Sequence, residues 1–211
     1  MWFVGNIDSG FVVKSTRGLT INGVQYPRNI FTQWSREQLA ELDILPYSEI
    51  GVNSKYQWQG QLTRAMVNGE VVGTYAGIDR DVDGLKKNMI SQVRQLASGK
   101  IAETDWMVIR EADGGTAMNA DVKAYRAAIR TDSNRKETEI NALADLDAVK
   151  AYDNHPVTMV NKTKHTSEEG VETYGDPLIT RESTVSKVNS YEWAIDPLAD
   201  ADPSFVSIND N

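Results

Sequence analysis

The sequence predicts an α+β protein: a small antiparallel sheet region over residues 1–80, a helical segment over residues 81–152, and an irregular, partly β C-terminal extension over residues 153–211. Three observations predict it. Two Asn-Gly dipeptides, Asn22-Gly23 and Asn68-Gly69, each lie between short apolar-rich runs, and Asn-Gly supplies the positive φ angles of a tight hairpin turn. Leu85, Met89, Val93 and Leu96 recur at helical spacing and form one stripe. Pro156, Pro177, Pro197 and Pro203 cut the last part of the chain into short pieces.

In the first region, Trp2-Phe3-Val4 and Phe11-Val12-Val13 are short apolar runs separated by Gly5, Asp8 and Gly10. The first Asn-Gly turn joins Thr20-Ile21 to Val24-Gln25-Tyr26, and Pro27 ends the second arm or leaves it at a sheet edge. Ser35-Arg36-Glu37-Gln38 fits a capping box, with the Ser35 hydroxyl and the Gln38 side chain satisfying each other's backbone N–H groups. The helix it opens is short, with Leu39 and Leu42 inward, and Pro46 bars its continuation. Tyr56-Gln57-Trp58-Gln59 alternates as a half-buried strand should, and residues 62–66 and 70–75 flank the second Asn-Gly turn.

In the second region, Gly99 is the expected end of the Leu85 helix. Residues 120–130 read as a short amphipathic helix with Val122, Tyr125 and Ile129 on one face, Asn119 as N-cap and Asp121 in the first turn. Asp113-Gly114-Gly115 must be a turn, and the expected arrangement is a helical hairpin in which Trp106 covers the apolar face of the helix that follows. A polar break is expected at Thr131-Asp132-Ser133-Asn134. Residues 135–152 then form a longer helix with Ile140, Leu143, Leu146, Val149 and Tyr152 three apart. Such a stripe drifts around a helix of 3.6 residues per turn, so it can face more than one neighbour, a second copy of the chain included.

In the last region, residues 157–160, 178–180 and 184–195 are candidate strands, residues 161–170 an exposed loop, and residues 196–211 an acidic tail expected to be disordered alone or to lie as an arm along a neighbour.

Composition excludes several functions. Of the residues, 40% are hydrophobic and 25% charged, as in an ordinary globular protein. A net charge of −8 argues against a general phosphate-binding surface, so no nucleic-acid partner is expected. With no cysteine there is no disulfide, thiolate ligand or cysteine nucleophile. The first residues lack the pattern of a secretory signal, and no apolar run is long enough to span a bilayer, so no membrane partner is expected.

Chemical motifs are sparse. Asp79-Arg80-Asp81-Val82-Asp83-Gly84 matches the first half of a calcium loop, but Lys86 and Ile90 stand where the second half needs an apolar residue and a bidentate carboxylate. An acidic cap on the Leu85 helix accounts for it better. His155 and His165 lack further ligands at metal-site spacing. There is no nucleophile elbow, phosphate loop or dinucleotide fingerprint. Trp2, Trp34, Trp58 and Trp193 could stack on sugars, but such residues more often fill cores and interfaces. No catalytic residue, metal ligand or cofactor is expected. The candidate interface residues are Trp106, Tyr125, Leu146, Val149 and Tyr152.

Two stretches resemble a known family. Thr104, Asp105 and Trp106, then Arg110 and a glycine-containing loop, then Tyr125, Arg126 and Arg130 in a YRxxxR helix, resemble phage tail-fibre assembly and tail-assembly-chaperone-like proteins. The NGxxYP pattern and the Trp34-Ser35 helix start within residues 21–47 are similar to the N-terminal part of the same proteins. The resemblance implies a noncatalytic phage tail protein, associated with the tail fibre or baseplate, that acts through contacts with other phage tail proteins and as a homo-oligomer. It would reside in the virion tail after assembly in the host cytoplasm. The alternatives are a tail-fibre assembly chaperone not retained in the virion, and a glycan-binding or glycan-hydrolysing tail module. The residues beyond the YRxxxR helix favour the virion component.

Overall fold

A computed structural model describes residues 1–14, 17–189 and 192–210. The chain is a mixed α+β protein with small sheets, and it divides into two compact units, Met1–Arg80 and Asp81–Asn211.

The first unit contains β1 (Trp2–Val4), β2 (Phe11–Val13), β3 (Leu19–Ile21), β4 (Val24–Tyr26), α1 (Ile30–Gln33), α2 (Arg36–Ala40), β5 (Ile44–Ile50), β6 (Gln57–Val67) and β7 (Glu70–Asp79). Five strands form one sheet in the order β2-β1-β5-β7-β6, and β3-β4 is a separate hairpin. Both Asn-Gly turns form where expected: Asn22 and Gly23 join β3 to β4 with φ of 49° and 80°, and Asn68 and Gly69 join β6 to β7 with φ of 50° and 80°. The Ser35 capping box is complete, with Gln38 N–H donating to Ser35 Oγ at 3.3 Å and Ser35 N–H to Gln38 Oε1 at 2.9 Å.

Alternation along β1 builds two cores. Val4 points to a cluster with Leu19, Ile30, Phe31, Leu39 and Ile44, where Trp2 stacks on Phe31 at 5.8 Å between ring centroids. Phe3 points the other way, to Tyr47 and Val71. Gly73 makes room there, because a Cβ at that position would lie 2.5 Å from the Tyr47 hydroxyl.

One pairing departs from the antiparallel expectation. The β5–β7 pair is parallel, since β7 returns from the β6 hairpin and inserts between β5 and β6. In addition, residues 56–59 and 62–66 merge into the single strand β6, with a register shift between Gln59 and Leu62.

The second unit contains α3 (Val82–Ala102), α4 (Asp105–Ala112), α5 (Ala120–Ala142), α6 (Leu146–Asp153), β8 (His155–Thr166), β9 (Glu172–Val185) and β10 (Phe205–Asp210). No further division separates residues 81–152 from residues 153–211. Asp81 caps α3, its carboxylate accepting from Gly84 N–H at 2.8 Å. The stripe of α3 buries Met89, Val93 and Ala97, and Ala97 meets Tyr125 and Ile129 of α5. Gly99 does not end α3, which runs on to Ala102.

The polar break expected at residues 131–134 is instead the middle of α5. Thr131 and Asn134 stay exposed, but the other polar groups there face protein. Asp132 Oδ2 accepts from Ala194 N–H at 2.9 Å, Ser133 is buried, and Arg135 reaches Glu192 at 2.8 Å. The helix stops at Leu143, where the backbone turns extended, and Asp145 caps α6 by accepting from Ala148 N–H at 2.8 Å.

The C-terminal region is more regular than its composition suggests. β8 and β9 form a long antiparallel hairpin, so residues 161–166 are strand rather than loop. Pro177 sits in β9 beside the register shift at Lys162/Thr163, where a missing N–H costs no ladder bond. The strand expected over residues 184–195 ends at Val185; Ser190 and Tyr191 lie outside the described residues. The tail expected to be disordered contributes β10, which pairs antiparallel with β8; Asn211 lies outside the described residues.

Candidate functional site

The least covered helix of the second unit is α4. None of its eight residues is buried, and Trp106, Val108 and Ile109 are 53%, 42% and 62% exposed. Three large apolar side chains on so short a helix, with no element over them, make an exposed apolar surface of the kind that marks contact sites.

A single arginine secures the N-terminal end of α4. Arg126, on α5 and itself buried, donates from Nη1 to the Ile101 carbonyl and to Thr104 Oγ1, each at 2.7 Å, and from Nη2 to Asp105 Oδ1 at 2.7 Å. The planar fork of guanidinium suits three acceptors converging from one chain bend. Thr104, the N-cap of α4, does not cap with its side chain; its hydroxyl donates back to Ile101 O at 3.0 Å. At the other end, Gly114 adopts φ +79°. Gly115 passes so close to Arg110 that a Cβ would meet the Arg110 carbonyl at 2.9 Å. Asn119 then starts α5, accepting from Asp121 N–H at 2.8 Å.

Between the two helices lies an open cleft of about 330 Å³, lined by Val108, Glu111, Met118, Lys123, Arg126 and Arg130. Lys123 pairs with Glu111 at 2.7 Å, and that hydrogen bond holds the Glu111 carboxyl below its usual range. Arg130 is different. Among the described residues it has no carboxylate within ion-pair distance, only a 3.4 Å bond to the Arg126 carbonyl. The cleft therefore offers two apolar walls and three cations, of which Lys123 is paired with Glu111, Arg126 with Asp105, and Arg130 with no carboxylate among the described residues, on a chain whose net charge is −8. It fits an anionic group that carries apolar neighbours.

The five sequence-derived interface residues separate. Trp106 is at the surface, with the Arg110 guanidinium 4.8 Å from its ring centroid, and does not cover the apolar face of α5. Tyr125, Leu146, Val149 and Tyr152 are buried in the chain's own core. Helical periodicity marks a buried face without saying what buries it, and here α3 and the rest of the second unit do so. Burial raises the Tyr125 hydroxyl pKa, with the carboxylates of Asp196 and Glu103 adding to it. Tyr152 donates to Glu139 Oε2 at 2.9 Å. Sequence reasoning missed Val108, Ile109, Met118 and Lys123. The available signal was the unbroken run Trp106-Met107-Val108-Ile109, too many apolar residues for one face of a short helix.

A second polar cluster lies at the middle of α5. Lys136 is fully buried, its amine donating to the Lys187 carbonyl and lying 5.2 Å from the Trp193 ring centroid. Burial, chiefly, lowers its pKa to about 8. A lysine so shifted can serve as a nucleophile, but this one is 0% exposed and pins the segment beyond β9 to α5.

The remaining candidates have neighbours in their own chain, although Trp58 and Trp34 stay 57% and 38% exposed. Asp79 accepts from Gln57 at 2.7 Å, and among the described residues no group of three or more His, Asp or Glu is placed to hold a metal ion. His165 Nε2 lies 3.1 Å from the Asp176 carbonyl. Trp34 packs edge-on to Tyr26, Trp193 donates to Val188 O at 3.0 Å, and Trp58 stacks under Arg80 at 3.6 Å. Among the described residues no helix is long and apolar enough to cross a membrane.

Comparison with protein-family models, with curated proteins and with solved structures finds no match to this chain.

Proposed function

We propose that the chain is a noncatalytic phage tail protein, a virion component associated with the tail fibre or baseplate, working through protein–protein contacts. The observation that carries the contact part is the uncovered helix α4, with Trp106, Val108 and Ile109 exposed beside the basic cleft. Aromatic and arginine side chains around an apolar patch are what binding hot spots are made of. The phage part is supported by the resemblance carried by Thr104, Asp105, Trp106, Arg110, Tyr125, Arg126 and Arg130. The arrangement favours binding over chemistry: the one strongly shifted lysine is enclosed, and the cleft pairs no general base with a nucleophile.

The deciding experiment is quantitative mass spectrometry of purified particles from the phage that encodes the chain. A fixed small-integer copy number relative to other tail proteins is the expected result. Abundance in infected-cell lysate with absence from particles would overturn it in favour of the transient assembly chaperone.

A further inference from the structure

The second unit also carries a segment complementary to its cleft. Between Ala194, bonded to Asp132, and β10, residues 195–202 (Ile-Asp-Pro-Leu-Ala-Asp-Ala-Asp) form an exposed acidic arm. Ile195 is 89% and Leu198 55% exposed, so neither is buried anywhere in its own chain. The arm is shaped in advance. Asp196 Oδ1 accepts from Leu198 N–H at 2.9 Å, and Asp202 Oδ1 from Ser204 N–H at 2.8 Å. Its far end is tied to β8 through Lys162 N–H donating to the Ser204 carbonyl at 2.7 Å. Among the described residues Asp200 has no hydrogen-bond or ion-pair partner, as Arg130 has no carboxylate partner in the cleft.

We propose that the cleft between α4 and α5 receives residues 195–202 of a second copy of this chain, in a head-to-tail contact. This rests on the reading that the protein works through protein contacts. Ile195 and Leu198 supply the apolar groups for the Val108 and Met118 walls and the α4 surface, and the aspartates meet Arg130 and its neighbours. The arm's existing turns reduce the ordering cost of docking. Opposite charges on the two halves of the contact set its register and disfavour arm-to-arm and cleft-to-cleft pairing. Because cleft and arm are different surfaces of one chain, each contact leaves a free arm on one copy and a free cleft on the other, and repetition generates a ring or a filament.

The test uses the purified full chain and light scattering over a range of concentrations. The wild type grows beyond single-chain mass as concentration rises. Arg130→Glu, which spoils the cleft, and Asp200→Arg, which spoils the arm, each stay single-chain, with association weakened at least about tenfold. Mixed one to one, Arg130→Glu and Ile195→Ser form a two-chain species and nothing larger, because only one intact cleft and one intact arm remain to join, whereas Arg130→Glu mixed with Asp200→Arg restores opposite charges at the second contact and grows beyond two chains. Ile195→Ser behaves as a second arm variant, and circular dichroism confirms that all three stay folded. A wild type that is single-chain throughout, association untouched by Arg130→Glu, or a mixture that forms no pair would each overturn the proposal. Particle composition separates the two readings. A chain that is single in solution yet present in particles sinks the arm contact alone, and one that self-associates but is missing from particles sinks the virion assignment alone.

Discussion

Arg126 and Thr104, 22 residues apart in the chain, meet side chain to side chain at 2.7 Å in a buried hydrogen bond, and the helix α4 hangs from that bond. The same guanidinium holds Ile101 O and Asp105, so one residue closes the bend between α3 and α4.

Removing it should therefore cost more than a surface charge does. Arg126→Met removes the donors to Thr104 Oγ1 and Asp105, while the Ile101 carbonyl keeps the Thr104 N–H and hydroxyl, and is expected to lower stability by about 1 to 2 kcal/mol. Arg126→Lys recovers little of this, because an ammonium cannot reach three acceptors in a planar fork. Urea unfolding of both variants checks the prediction; a Lys variant as stable as wild type would contradict it.

Trp106→Ala is expected to behave in the opposite way. The side chain is half exposed and touches Arg110 rather than a core, so stability should change by no more than about 0.5 kcal/mol. Under the proposed contact through α4, the concentration-dependent growth of the chain in light scattering should weaken markedly in the same variant. A large loss in melting temperature would mean that Trp106 is packed after all.

Lys136 makes stability depend on pH in the alkaline range. Its folded pKa, about 8, lies below the ordinary 10.5, so the unfolded chain binds more protons between these values. Stability from this group is therefore lowest below pH 8 and rises as pH climbs toward 10.5. The buried Tyr152 hydroxyl has the reverse effect: its folded pKa is raised above 10, so stability falls once pH passes 10 and the unfolded chain ionises first. Compared with Lys136→Met, which lacks the titration, the wild type should gain on the order of 2 kcal/mol between pH 7.5 and pH 10. Parallel denaturation curves of the two proteins across that range would refute the assignment.

Two glycines in the first unit test backbone against packing. Gly69 has φ +80° and open space around it, so Gly69→Ala carries only conformational cost, about 1 kcal/mol. A Cβ at Gly10 would lie 2.5 Å from both the Phe3 ring and the Val4 carbonyl, so Gly10→Ala should cost about 3 kcal/mol. Equal effects from the two substitutions would argue against the β1–β2 geometry.

Features set by neighbours in sequence were legible; those set by distant partners were not. The Ser35 capping box and both Asn-Gly turns need only adjacent residues, and all three form. The parallel β5–β7 pair was hidden because nothing local distinguishes a strand that will be flanked on both sides. The α5 break was misread for a related reason. Asp132, Ser133 and Arg135 look like solvent residues, but they bind Ala194, the core and Glu192, more than fifty residues away for the two partners beyond β9. For the site, Trp106 was legible as an unusual residue, whereas Tyr125, Leu146, Val149 and Tyr152 read equally well as core or contact. Only the positions of α3 and the strands decide for core.

The division of labour within the α4–α5 hairpin has a consequence for how the protein can diversify. Changing Arg126 or Thr104 removes a buried hydrogen bond, so those positions form the constrained half. Changing Arg130, Trp106 or Ile109 strands nothing inside the chain. Substitutions can therefore accumulate one at a time on the exposed half of the hairpin, while the hinge beneath it stays as it is.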